Sequence, residues 1–365
     1  MPAPLEFPRE IISDIITAAI TLLRPPTTIG VHKSPTQSCR SLLLTTSLVN
    51  KMWAEESQRI LFLTESSLRT QEGIRGWSLA AGRYAISSLT VTDDNRRRGT
   101  KPTTKDIINL LDTLGSNLSH LEICTSILSD AVLQHPKLSD LKSLKLSFLD
   151  VDIPSLPQIL GTPQFSLDSL EIFVLLNTDS GNVNISNTLR IWKALEPTLS
   201  RTRKLSIIIV DMTGYPEEDG FAACLASMIS ATSGSLESLE LAARHHSRIN
   251  TVIKVLPVLT SFYDTAQRGR REGMTARIAS LPRSLKRYDF RSDDSDYPEE
   301  EKILLNFFLE KLLEDKKFLP ELEKIGILLR LLKDAGTRDL LVEAQKQRPK
   351  LKFVLSKFEQ PTFRG

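Results

Sequence analysis

The side chains that could do chemistry are few and scattered. Cys39, Cys124 and Cys224 lie far apart in a chain of 365 residues, an odd and sparse set that fits neither a disulfide framework nor a metal-ligand spacing. Of five histidines, only His245 and His246 are adjacent. Neighbours on a strand or helix point in different directions, and no cysteine or spaced carboxylate stands near enough to complete a zinc site. The acidic run Asp293, Asp294, Asp296, Glu299, Glu300, Glu301 lacks the glycine and the ligand spacing of a calcium loop. It reads as a solvated loop entering a helix N-terminus, where negative charge is favourable. The basic runs Arg96-Arg97-Arg98 and Arg268-Gly269-Arg270-Arg271 are short and lack neighbouring aromatic rings on which bases could stack. No glycine-rich dinucleotide or phosphate loop, nucleophile elbow or metalloprotease helix is written in the chain. The expected chemistry is recognition without catalysis, with no cofactor and no metal.

Composition agrees with that class. Apolar residues make up 41% and charged residues 25%, and 47 lysines and arginines against 44 acids leave a formal charge of +3. This is ordinary for a globular chain and too balanced for one devoted to nucleic acid. The length exceeds one compact core and predicts two domains or an elongated array. Glu6, Arg9, Glu10 and Asp14 near the N-terminus do not make a secretory signal. The early apolar stretch Ile15–Leu23 is too short to span a bilayer. An intracellular chain of the cytoplasm or nucleus, with no membrane partner, is expected.

The elements that would position a recognition surface are visible as a recurring pattern: an apolar residue, two variable, an apolar residue, one variable, an apolar residue. It appears at Ile86-Leu89-Val91, Leu118-Leu121-Ile123, Leu141-Leu144-Leu146, Leu167-Leu170-Ile172 and Leu236-Leu239-Leu241, with degenerate copies at Leu205-Ile207, Leu285-Tyr288-Phe290, Leu322-Ile325-Ile327 and Leu351-Phe353. The last two apolar positions alternate with a polar one, the period of a half-buried strand. Helical stripes are expected between copies, at Thr104–Leu114 with Thr104 as cap, Leu189–Leu199, Glu218–Thr232, Ile249–Tyr263, Glu299–Asp315 and Arg338–Gln347. Strand, loop, helix, loop is the leucine-rich-repeat pattern. The central positions (Leu89 through Tyr288 and Ile325 to Leu351) are 23 to 49 residues apart, so the array is expected to be irregular. Stacked units would bury a common core and expose one residue per strand on a concave sheet face: Thr90, Glu122, Lys145, Glu171, Ser206, Glu240, Asp289, Gly326 and Lys352. Four are acidic, which suits a basic partner or serves only solubility. Glu122, Lys145, Glu171, Glu240 and Asp289 are the candidate target-binding residues.

Before the repeats come two apolar helical patterns. Pro8 stands where a helix can begin without losing a hydrogen bond, followed by Ile11, Ile12, Ile15, Ile16, Ala19, Ile20 and Leu23. Pro25-Pro26 ends it. The second pattern, about Ser41 to Leu63, is read as two short helices broken near Thr45–Asn50. Its strip Leu48, Val49, Met52, Trp53, Ile60, Leu61, Phe62 is more apolar than so small a segment can bury alone.

Phe7-Pro8-Arg9-Glu10-Ile11-Ile12 with Ile15-Ile16 resembles the opening of an F-box. Ser47-Leu48-Val49-Asn50-Lys51-Met52-Trp53 with Ile60-Leu61-Phe62 resembles its second half. Asn50 stands where cysteine is common, and Arg24–Arg40 lengthens the link between the halves. The chain is similar to F-box proteins with irregular leucine-rich repeats found in mushroom-forming fungi. The resemblance implies an α/β fold: an F-box helical domain over residues 1–68, then a leucine-rich-repeat solenoid with a curved parallel sheet over 69–365. It also implies a substrate-recognition adaptor of an SCF-type ubiquitin ligase, docked on the Skp adaptor and through it on a cullin scaffold, with the repeats holding a protein target. The implied docking residues are Phe7, Pro8, Ile11, Ile12, Ile15, Leu48, Val49 and Trp53, with Trp53 either a contact or a buried strut. The other reading is a non-ligase interaction scaffold whose N-terminal helices only cap the repeats.

Overall fold

The computed structural model describes residues 8–23, 42–43, 45–64, 67–68, 70–83, 86–91, 100–124, 128–148, 165–176, 193, 195–211, 219–242, 247–266, 271–292 and 298–355. The chain forms two compact units, Met1–Leu141 and Lys142–Gly365, and the boundary expected at residue 68 falls inside the first.

The first unit opens with α1 (Arg9–Leu23) and α2 (Lys51–Thr64). Isoleucines at four-residue spacing share one helical face, so Ile12, Ile16 and Ile20 close on Leu43 and Ile60 in a small core, with Leu42, Met52 and Trp53 packed at its margin. The break expected near residues 45–50 is present as a turn over 47–49, and the Asn50 side chain accepts from Trp53 N at 3.0 Å at the start of α2. β1 (Ser67–Leu68), α3 (Gln71–Ala81), β2 (Ser88–Val91), α4 (Thr104–Thr113), β3 (His120–Cys124) and α5 (Asp130–Leu133) follow. β1 and α3 have no counterpart in the repeat reading. α4 is capped one residue earlier than expected, by Thr103: its hydroxyl accepts from Asp106 N, and the Asp106 carboxylate accepts from Thr103 N at 2.9 Å. Both first-turn donors are thereby satisfied.

The second unit runs β4 (Ser143–Phe148), β5 (Ser169–Leu176), β6 (Lys204–Asp211), α6 (Asp219–Ala231), β7 (Ser238–Ala242), α7 (Ser247–Lys254), β8 (Ser261–Ala266), α8 (Arg271–Ala279), β9 (Arg287–Ser292), α9 (Pro298–Glu314), β10 (Lys324–Ile327), α10 (Ala335–Gln347) and β11 (Lys352–Leu355). In each unit every strand pairs in parallel with the next strand in sequence. The architecture is α/β: in each unit the strands are all parallel, and from β6 onward α-helices alternate with them. Among the described residues no helix is long and apolar enough to cross a membrane.

The register explains the sequence pattern. Leu144, Leu170, Leu205, Leu239, Phe262, Tyr288 and Ile325 stand side by side on consecutive strands, all buried. Thr202 fills the first pattern position of the β6 copy. It is buried without loss because its hydroxyl donates to Leu167 O at 2.9 Å. Main-chain bonds tie each strand's entry to the one before it: Asp168 N to Lys142 O, Arg203 N to Asp168 O, Glu237 N to Arg203 O, Thr260 N to Glu237 O, Lys286 N to Thr260 O, Glu323 N to Lys286 O and Lys352 N to Glu323 O.

Two expectations are corrected. The helix expected over Ile249–Tyr263 ends at Lys254, and Ser261–Ala266 is a strand. The 49-residue gap between Leu239 and Tyr288 therefore holds an additional repeat, Leu259-Phe262-Asp264. It escapes the pattern because a carboxylate occupies the last apolar position, beside Leu241 and Phe290 in register. In the final copy, Phe353 and not Leu351 is in register with Ile325, and Val354 and not Lys352 with Gly326. Residues 189–192 and 194 of the helix expected at Leu189–Leu199 lie outside the described residues, and Glu196–Arg201 forms a 3-10 helix.

Candidate functional site

The N-terminal helices divide their apolar residues into two sets. Ile12, expected at a docking face, is buried in the helical core, and Trp53 is packed against that core. Pro8 is exposed, and so are Ile11 (43%), Ile15 (45%), Leu48 (85%) and Val49 (61%). Phe7 lies outside the described residues. The sequence could not separate the sets, because Ile11 and Ile12, and Ile15 and Ile16, are adjacent and equally apolar. Only packing against α2 chooses one of each pair.

A buried carboxylate joins the two helices. Glu56 on α2 is 1% exposed and takes Arg9 Nε at 3.0 Å and Arg59 Nε at 2.9 Å, while Arg59 also donates to Ser13 Oγ at 3.1 Å. Burial alone would raise this carboxyl. The hydrogen bonds from Arg59, Arg9 and Ser13 outweigh it and hold Glu56 at about 2. Nothing in the apolar periodicity marks Glu56 as structural.

The outward row of the sheet carries the expected target-binding residues. Thr90 donates to Glu122 at 3.4 Å, Lys145 pairs with Glu171 at 3.0 Å and Ser206 donates to Glu240 at 2.9 Å. The register places each of these pairs directly across neighbouring strands, where opposite charges and hydroxyl–carboxylate contacts are favourable. Asp289 is corrected: it sits in the row, but its side chain is buried, pairs with Arg287 Nε at 2.6 Å and lies over Gly326. The Arg287 guanidinium also stands 5.3 Å from the Tyr263 ring centre. A Cβ on residue 326 would fall 1.4 Å from Asp289 Oδ1, so glycine is required there by crowding. With these partners, the row offers a basic ligand less free negative charge than its composition suggests.

The most reactive-looking cluster is enclosed. Arg277 Nη1 donates to Asp264 Oδ1 at 2.7 Å and the Tyr288 hydroxyl donates to Asp264 Oδ2 at 3.3 Å. Burial pushes the Asp264 carboxyl up, and the attraction of Arg277 only partly offsets it. All three side chains are fully buried, so no substrate atom reaches them. Among the described residues no group of three His, Cys, Asp or Glu could hold a metal ion. Cys124 is buried, and burial raises the thiol of half-buried Cys224. That moves Cys224 away from the thiolate form a nucleophile needs. His245-His246, Arg96–Arg98, Arg268–Arg270, Cys39 and most of the acidic run before α9 lie outside the described residues.

A pocket of about 650 Å³ lies in the second unit, between the ends of α7, α8 and α9. No family model matches the chain, and no curated protein matches it.

Proposed function

We propose that the chain is a substrate-recognition adaptor of an SCF-type ubiquitin ligase. Its N-terminal helices dock on the Skp adaptor, and through it on a cullin scaffold, and its stacked strand–helix units hold a protein target. The chain itself makes and breaks no bonds. It acts by raising the effective concentration of its target beside a ubiquitin-charged enzyme. One observation carries this reading. The motif-bearing N-terminal residues close a core with Ile12, Ile16, Ile20 and Ile60 and still leave Ile11, Ile15, Leu48 and Val49 exposed. A cap whose apolar strip was consumed by the repeats would have buried them.

The alternative is a non-ligase scaffold. It is favoured by the short step from α2 into β1, which pairs with β2 in the same compact unit. Co-purification of the full chain with the Skp adaptor separates the two. The full chain should capture the adaptor, and Leu48→Glu with Val49→Glu should abolish capture while the chain stays folded. A central anchor is worth about 2 kcal/mol or more, roughly thirtyfold in affinity. Absence of capture by the wild type, or full capture by the variant, refutes the adaptor reading.

A further inference from the structure

We infer that the helix-to-strand loops of three successive repeats in the second unit form a binding pocket for an acidic, apolar-anchored peptide segment of a partner protein. The loops are those after α7, α8 and α9, and they line the half-open cavity of about 650 Å³. Lys254, Arg283, Lys311 and Lys317 line it, against one acid, Asp315. Among the described residues none of these four cations is in an ion pair. Other surface cations of this unit, such as Lys286 and Lys324, are likewise outside ion pairs, so it is the clustering of these four around one cavity, against a single acid, that singles this surface out.

The ordinary explanation for cations at helix C-termini is that they offset the helix dipole. At α9 another residue already does this. Arg348 donates to the carbonyls of Leu312 and Asp315, each at 3.2 Å, and of Leu319 and Phe318, each at 2.8 Å. Lys311 places its ammonium 5.3 Å from the Phe318 ring centre. Lys311 and Lys317 are therefore not needed to satisfy the carbonyls that end α9.

The walls between them are apolar. Leu256, Leu281 and Phe318 form buried lining, and Val255 is 67% exposed. Such a pocket fits an apolar side chain flanked by negative charges. Three of the four cations are lysines, mobile point charges without the planar fork that grips one phosphate in two bonds. That favours carboxylates distributed along a peptide over a single phosphoryl group. The partner sought by this surface is opposite in charge to the basic one suggested by the acids of the outward row. The inference does not rest on adaptor docking.

The test uses the full chain without any adaptor and a short fluorescein-labelled peptide of repeated Glu-Glu-Leu, read by fluorescence anisotropy. Saturable binding is expected. Lys254→Glu with Arg283→Glu should weaken it by about tenfold or more. Lys311→Ala with Lys317→Ala should weaken it less, and added salt should weaken it further. The altered side chains are exposed or half-buried, so circular dichroism should be unchanged. A peptide with serine for leucine should bind less well, and one with lysine for glutamate not at all. No saturable binding to the wild type, equal binding by both variants, or equal binding of the serine peptide overturns the inference. Displacement of the peptide by inorganic phosphate at low millimolar concentration also overturns it, in favour of a phosphate site.

Discussion

Asp264 and Arg277 form an ion pair inside the second unit, and replacing either alone should be far more damaging than replacing both. Each side chain is fully buried and they meet at 2.7 Å. Asp264→Leu restores the apolar residue that neighbouring strands carry at this position, but it strands a guanidinium with no access to water. Removing one partner of a buried pair costs about 3–5 kcal/mol, whereas exchanging both for apolar residues of similar volume is often neutral or stabilising by about 1–4 kcal/mol. For a unit of this size each kcal/mol moves the melting temperature by about 2–4 °C. Asp264→Leu should therefore lower it by roughly 6–20 °C, and Asp264→Leu with Arg277→Met should recover most or all of the loss. Scanning calorimetry of the wild type, both single variants and the double variant gives the interaction term directly. A single variant melting within about 2 °C of the wild type would refute the reasoning. So would a double variant as unstable as the sum of the singles.

Gly326→Ala should cost about 1–3 kcal/mol by forcing the Asp289 carboxylate off its site, and much less in an Asp289→Ala background; urea denaturation of the four proteins measures the difference. Glu56→Gln should loosen α1 from α2. A fall from the ordinary 4.5 to about 2 corresponds to about 3 kcal/mol, reduced to about 2 kcal/mol because Arg9 is half exposed. This contribution is complete above pH 4.5 and is lost as the pH falls toward 2. Amide exchange in α1 should therefore differ most between wild type and variant at neutral pH, and the two should converge in acid.

Much of the fold was legible because leucine spacing at a strand is dictated by the pleat. Leu89, Leu121, Leu144, Leu170 and Leu239 each announced a strand, and the parallel register aligned Leu89 with Leu121 in the first unit and Leu144, Leu170 and Leu239 in the second, as expected. What stayed hidden had a local physical reason. The β8 repeat was concealed by Asp264, whose charge is offset by Arg277, thirteen residues further on. The final repeat was misaligned by two residues because Leu351, Phe353 and Leu355 all fit an alternating pattern. The N-terminal apolar set was found, but its division into core and surface was not, because adjacent isoleucines carry no signal of which will meet α2. Asp289 was placed in the correct row, yet its burial depends on a glycine one strand away. The loop pocket was invisible because its four cations are spread over more than sixty residues.

The chain of main-chain bonds that enters each strand, from Lys142 through Asp168, Arg203, Glu237, Thr260, Lys286 and Glu323 to Lys352, always points backwards: the later residue donates and the earlier one accepts. Each strand from β5 to β11 is thus entered against a segment synthesised before it, typically two or three dozen residues upstream. Local pairing of this kind lowers the entropic cost of closure. A nascent chain of this design can lay down its sheet in the order of translation, each new repeat finding its acceptor carbonyls already in place.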